Sequence, residues 1–257
     1  MRRLTQISLL SAVLFFVSIS CSDTEKDWNK LFNEENLDQW VQLNGEAKYS
    51  LEDGVIVGES VLNTPNSFLC TKKRYSDFIL KVELKVDSGL NSGIQIRSNS
   101  IPEYRDNRVH GYQVEIDPTD RRYSGGLYDE ARRGWLYNLV DNEPARQAFK
   151  MDDWNTYRIE ALGDTIQTWV NGVPAANVVD NMTDEGFIGL QVHGWYDDES
   201  MKGLKARWRN LRIMTGDTAW KHNKTMDIPQ KSYIYNRLKK KKKAEGWQLL
   251  FNGKNHE

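Results

Sequence analysis

Read by the parity of its apolar positions, the chain is a succession of short alternating runs cut by turn residues. "GVIVGES", "FILKVELKV", "SGIQIRS", "GYQVEID", "NTYRIEALG", "TIQTWVNG", "GFIGLQVHG" and "ARWRNLRIM" all fall between residues 28 and 216. Their period of two puts successive side chains on opposite faces of a strand, and Gly, Asn and Asp fill the gaps. Such a series predicts an all-β sandwich or jelly roll, and no long run of period 3.6 interrupts it. Asn171-Gly172 in "TWVNGVP" predicts a tight hairpin, because both residues tolerate positive φ.

The same parity count exposes a polar set where a buried strand would carry valines. In "HGYQVEIDPTD", Gln113, Glu115 and Asp117 share one face, and Tyr112, Val114 and Ile116 share the other. In "NSGIQIRS" the polar face holds Gly93, Gln95 and Arg97, and in "GFIGLQVHG" it holds Gly189, Gln191 and His193. If these strands are neighbours, the polar residues converge on one floor. A merely solvated face would favour Lys, Thr and Ser over this mixture. Glutamines and an arginine donate hydrogen bonds, carboxylates accept them, and Glu115 or His193 can move a proton, so the set suits a hydroxyl-rich ligand.

Residues 121–139, "RRYSGGLYDEARRGWLYNL", are expected to form a loop folded over that floor, with Tyr128 and Trp135 as an aromatic platform for a sugar ring. Glu115 and Asp117 lie two residues apart, about 6.5–7 Å between Cα atoms along a strand. That separation is compatible with either glycosidase geometry. With His193 the same two acids form the candidate ligand set for a divalent metal ion, the one cofactor the residues suggest.

Composition narrows the partners. The 257 residues carry 35 basic and 36 acidic side chains, which gives no reason to expect a nucleic-acid partner. Nine tryptophans suit both a β-rich core and stacking on a sugar.

The ends have a different character. Residues 1–20 read as a signal peptide, with Arg2 and Arg3 before the apolar "LLSAVLFFVSIS". "SIS" before Cys21 resembles a lipobox, so Cys21 is the expected lipidation site and residues 21–27 an acidic tether. This predicts a lipoprotein of the bacterial cell envelope, anchored in the outer membrane by lipid and facing the periplasm or the surface. Cys70 then has no disulfide partner and is expected in the core. Residues 28–216 make the domain, and residues 217–245, with lysines from 239 to 243, read as a linker with one short helix and a basic run. "WQLLFNGKN" near the end repeats "WNKLFNEEN" from residue 28, so residues 246–257 read as the start of a truncated second repeat.

"LFNEENLDQW", "NSGIQIRS", "GYQVEID", "GGLYDE", "WNTYRIEALGDTIQTWVNG", "GFIGLQVHG" and "ARWRNLRI", in this order, resemble the 3-keto-disaccharide hydrolase family. The resemblance implies a concanavalin-like jelly roll in the bacterial envelope and cleavage of glycosides already oxidised at C3. A ketone there acidifies the C2 proton, so a base can remove it and the glycosidic bond breaks by elimination, with water added afterwards. On that implication Glu115 or His193 is the base, Arg97 or a bound cation steadies the enolate, and Asp117 or the remaining acid protonates the leaving group. Gln95, Gln113, Gln191, Tyr128 and Trp135 hold the carbohydrate. Three alternatives stand beside it: a non-catalytic carbohydrate-binding module, a conventional glycosidase working through Glu115 and Asp117, and a degenerate partner domain of a tandem protein.

Overall fold

The structure is a computed structural model and describes residues 25–234, 242 and 244–248. The signal peptide, Cys21 and most of the second repeat lie outside the described residues. Two sheets stack face to face. The seven-stranded sheet runs in the order β10 (Gly134–Tyr137), β9 (Leu127–Glu130), β8 (His110–Ile116), β7 (Ser92–Asn99), β14 (Phe187–Val192), β5 (Ser67–Thr71) and β2 (Trp40–Asn44). The other runs β16 (Lys231–Tyr233), β13 (Val173–Asp180), β12 (Thr165–Val170), β11 (Asn155–Leu162), β6 (Phe78–Val86), β15 (Lys205–Thr215), β4 (Val55–Glu59) and β3 (Lys48–Glu52), with β1 (Asn29–Lys30) beside β15. This is the all-β jelly-roll sandwich that the alternation predicts.

The apolar parity of each strand builds the core between the sheets. Ile94, Ile96, Tyr112, Val114, Ile116 and Leu190 from one sheet meet Leu80, Val82, Tyr157, Ile159 and Trp208 from the other, all essentially inaccessible to water. Burial of apolar area on this scale is the main favourable contribution to the fold. The β12–β13 hairpin turns at Asn171 and Gly172, both at positive φ, as the sequence predicts.

Two segments differ from expectation. Residues 121–139 are not a covering loop: they contain the β9–β10 hairpin, which extends the seven-stranded sheet beyond β8. Residues 217–234 are not a free linker. The helix α1 (Gly216–Lys221) brings Trp220 Nε1 to Asp77, and β16 adds to the edge of β13 in parallel. Between them Lys224 N bonds Glu160, Arg158 Nη2 donates to the His222 carbonyl, and Tyr137 Oη donates to the Pro229 carbonyl. The lost alternation thus marks a strap bound by polar contacts and a late strand rather than an unattached chain. Among the described residues no helix is long and apolar enough to cross a membrane.

Candidate active site

Strand register brings most of the predicted polar set together. Gln191 pairs with Gly93, and Gly93 with Glu115, so these three form one row across β14, β7 and β8. The next row is Gly189, Gln95, Gln113 and Tyr128, with Trp135 opposite Tyr128 on β10. Because paired residues point to the same face, Gln95, Gln113, Glu115, Gln191, Tyr128 and Trp135 share the outer face of this sheet.

Their hydrogen bonds run in one direction. Ser98 Oγ donates to Gln95 Oε1 (2.6 Å), Gln95 Nε2 to Gln113 Oε1 (2.5 Å) and Gln113 Nε2 to Glu115 Oε2 (2.9 Å). From the other side Asn91 Nδ2 donates to Glu115 Oε1 at 2.7 Å. Gly93 makes this packing possible, since a Cβ there would stand 2.4 Å from the Gln113 amide carbon. Burial pushes the Glu115 carboxyl up to about 7, with Asp117 and Glu130 adding repulsion, although the Asn91 and Gln113 donors oppose the rise. Neutral donors stabilise the carboxylate less than burial destabilises it.

The face is not an open groove. Glu115 keeps 6% of its surface, and Gln95 and Gln191 keep none. Residues 100–109, between β7 and β8, cross above it: Tyr104 Oη donates to the Ala131 carbonyl at one side, and Asn44 at the far edge bonds both the Asn107 carbonyl (3.1 Å) and the Val109 N–H (2.7 Å). Val109 packs on Phe68, Cys70 and Phe187, which puts Cys70 in a small buried cluster. Arg105, Asp106 and Asn107 all have positive φ, so this crossing segment holds a run of left-handed conformation that side-chain-bearing residues disfavour. Beside it a cavity of about 230 Å³ is lined by Asn66, Phe68, Arg105, Arg108 and Glu130. Phe68 is the strand neighbour of Gln191, so the cavity adjoins the polar rows.

Three predicted residues lie elsewhere. Arg97 leaves the floor: the β7 register breaks between Ile96 and Asn99, Arg97 takes φ 46°, and its side chain turns to the opposite side. There it donates to the carbonyls of Ser76, Ala161 and Gly163 and pairs with Asp77, tying the end of β7 to the facing sheet. Asp117 stands just past β8, where its carboxylate accepts from Thr119 and pairs with Arg121 at 3.1 Å. His193 stands just past β14 with its ring 4.9 Å from that of Trp195; its Nδ1 is buried without a partner, and burial lowers its pKa. Glu115, Asp117 and His193 therefore do not form one ligand set, and among the described residues no group of three or more His, Cys, Asp or Glu is arranged to hold a metal ion.

The structure adds residues that the sequence reading missed. Asn91 has the parity of Gly93 and Gln95, so one further step of the same count would have found it. Glu130 has the parity of Tyr128, which was legible only with β9 recognised as a strand. It lies across the face, 6% exposed, with Arg108 at 3.4 Å and the Asn66 side chain donating to it. Tyr128 and Trp135 meet edge to face at 5.2 Å and flank Gln113 rather than covering it.

The protein is thus a jelly-roll sandwich whose outer face holds a sequestered carboxyl among amides. The chain matches the 3-keto-alpha-glucoside-1,2-lyase-like domain over residues 27–214 and belongs to that family. No curated protein sequence matches it. Among solved structures, a candidate glycosyl hydrolase from Parabacteroides distasonis ATCC 8503 aligns with TM-score 0.54 and 19% identity over 76% of this chain and 98% of that one. A Bacillus subtilis protein of unknown function with a galectin-like fold aligns with TM-score 0.51 and 13% identity, over 73% and 94%. At these identities the likeness is one of fold.

Proposed function

We propose that the chain is a carbohydrate-active enzyme that cleaves glycosides oxidised at C3, with Glu115 as the base. One observation carries this reading: a single carboxyl, buried among neutral amide donors and pushed up to about 7, in a family named for a 3-keto-glucoside lyase. A general base works best when its pKa lies near the operating pH. Glu115 removes the C2 proton, the electron pair forms the C1–C2 double bond, and the C1–O bond breaks. The departing oxygen takes a proton, for which the newly protonated Glu115 is the source. Water then adds across the double bond, OH at C1 and H at C2, to give the free 3-keto sugar. No redox partner is needed. Tyr128 and Trp135 are the sugar-packing surface on this reading, and Gln95 and Gln113 orient Glu115.

The conventional glycosidase reading has less support. It needs Asp117 as a second acid on an intact sugar, and Asp117 is engaged by Thr119 and Arg121. A binding module would have little use for a buried carboxyl poised near neutrality. The test is product formation from a 3-keto glycoside and its unoxidised parent by the full chain and by Glu115→Gln. Turnover of the keto substrate alone, lost in the variant, supports the reading; turnover of the parent overturns it, and binding without turnover moves it to a carbohydrate-binding role.

The same proposal includes a lipid anchor at Cys21 and residence in the bacterial envelope. Labelled fatty acid should enter the chain and be lost in Cys21→Ala; an unlabelled wild type would reject the anchor.

A further inference from the structure

We infer that the side-chain amide of Gln191 is the group that receives the enolate oxygen in the reaction proposed above, on which this inference rests. Removing a C2 proton puts negative charge on the C3 oxygen, and that charge needs a fixed donor. Arg97, the cation suggested by strand parity, is held on the other side of the sheet by Asp77 and three carbonyls. That leaves a bound cation, for which the described residues offer no group of three or more His, Cys, Asp or Glu ligands, or a neutral donor of the floor.

The amides of the floor differ in how they are used. Gln95 and Gln113 each have donor and acceptor committed to the chain that ends on Glu115, and Asn91 donates to Glu115 directly. Gln191 is fully buried, yet neither its Nε2 nor its Oε1 has a partner. A buried amide with both atoms unmatched costs stability that an apolar side chain of the same size would not. Nothing in the packing asks for an amide there.

Its position suits the reaction. Gln191 and Glu115 stand in one row with Gly93 between them, two strand spacings or about 10 Å between Cα atoms. The Gln113 amide lies over Gly93 and forms the bottom of that interval. The interval is closed in the structure, with Gln191 and Gln113 covered; a sugar admitted to it would present C2–H to Glu115 and the adjacent C3 oxygen to Gln191 Nε2. The neighbouring residue in the row, Phe68, opens onto the cavity lined by Glu130 and Arg108. The amide oxygen remains for a hydroxyl of the same ring.

The experiment compares wild type and Gln191→Met with two probes: a 3-keto glucoside, whose cleavage reports the whole reaction, and a 3-keto-1,5-anhydroglucitol in D2O, whose deuterium uptake at C2 reports enolisation without a leaving group. The expected result is a fall of about 100-fold or more in both rates, with KM changed less than about threefold and a higher melting temperature. Both rates within threefold of wild type would overturn the inference. So would a variant that melts below the assay temperature, because the amide would then be supporting the fold. A wild type that neither cleaves nor exchanges rejects the 3-keto reading itself, a pattern distinct from loss in the variant alone.

Discussion

Two buried polar clusters at the β8 end of the molecule are built on opposite principles. In the first, Asp129 accepts from Arg132 Nε (2.6 Å) and Arg133 Nε (2.5 Å), while Asp180 accepts from Tyr112 Oη, the Met182 N–H and Arg133 Nη1. Every carboxylate oxygen there meets a fixed donor, and two of the donors are cations. This knot joins the β9–β10 turn to β13 of the facing sheet. In the second, Glu115 meets only the neutral amides of Asn91 and Gln113, and Gln191 beside it is unmatched. A cation offsets the desolvation of a buried carboxylate, whereas an amide offsets only part of it. The first arrangement locks two sheets; the second leaves a carboxyl able to exchange a proton.

The contrast can be broken from either side. The largest effect is expected at Glu115. Glu115→Gln keeps the shape and removes the proton acceptor, so turnover of a 3-keto glycoside should fall about 10³- to 10⁴-fold while the folded state persists, as checked by circular dichroism. Asp129→Asn tests the opposite cluster: with the buried acid partner of two half-buried arginines neutralised, stability should fall by about 3–5 kcal/mol in urea unfolding. Activity per folded molecule should be unchanged.

A pH series sharpens the difference. The folded-state pKa of Glu115 is raised to about 7 above an ordinary carboxyl value near 4.5. Its contribution is therefore fully present below the unfolded value and is lost as pH rises toward and through 7. Against Glu115→Gln, wild type should lose roughly 3 kcal/mol of stability between pH 4.5 and pH 8. A difference that stays flat over this range would mean that Glu115 is not desolvated.

The smallest expected effect concerns access. Asn44→Ala removes two hydrogen bonds from residues 100–109, and stability should drop by about 1–2 kcal/mol. Because Val109 covers Cys70, thiol labelling of Cys70 followed by peptide mass should speed up severalfold. Labelling at the wild-type rate would separate the crossing segment from protection of the face.

Several parts of this arrangement are legible in the sequence. Period-two runs marked the strands, and their parity sorted Ile94, Val114 and Leu190 into the core and Gln95, Gln113, Glu115 and Gln191 onto the other face. Arg97 departs from its parity because parity assumes an unbroken strand, and one left-handed residue at a bulge reverses the side on which a side chain emerges. Residues 121–139 look like a loop in sequence because four-residue strands around "GGLYDE" and "GWLY" are too short for their alternation to stand out.

What the sequence determined alone was therefore local: where the strands run and which side chains share a face, since both follow from the geometry of one extended chain. Tertiary structure decided which strands are neighbours, that residues 100–109 run from Ala131 to Asn44 across the sheet beside the polar rows, and that 217–234 bind the second sheet. Those outcomes depend on contacts between residues far apart in the chain. The proton affinity of Glu115 belongs with them, because it is set by exclusion of water and by the amides of Asn91 and Gln113, not by the residue itself.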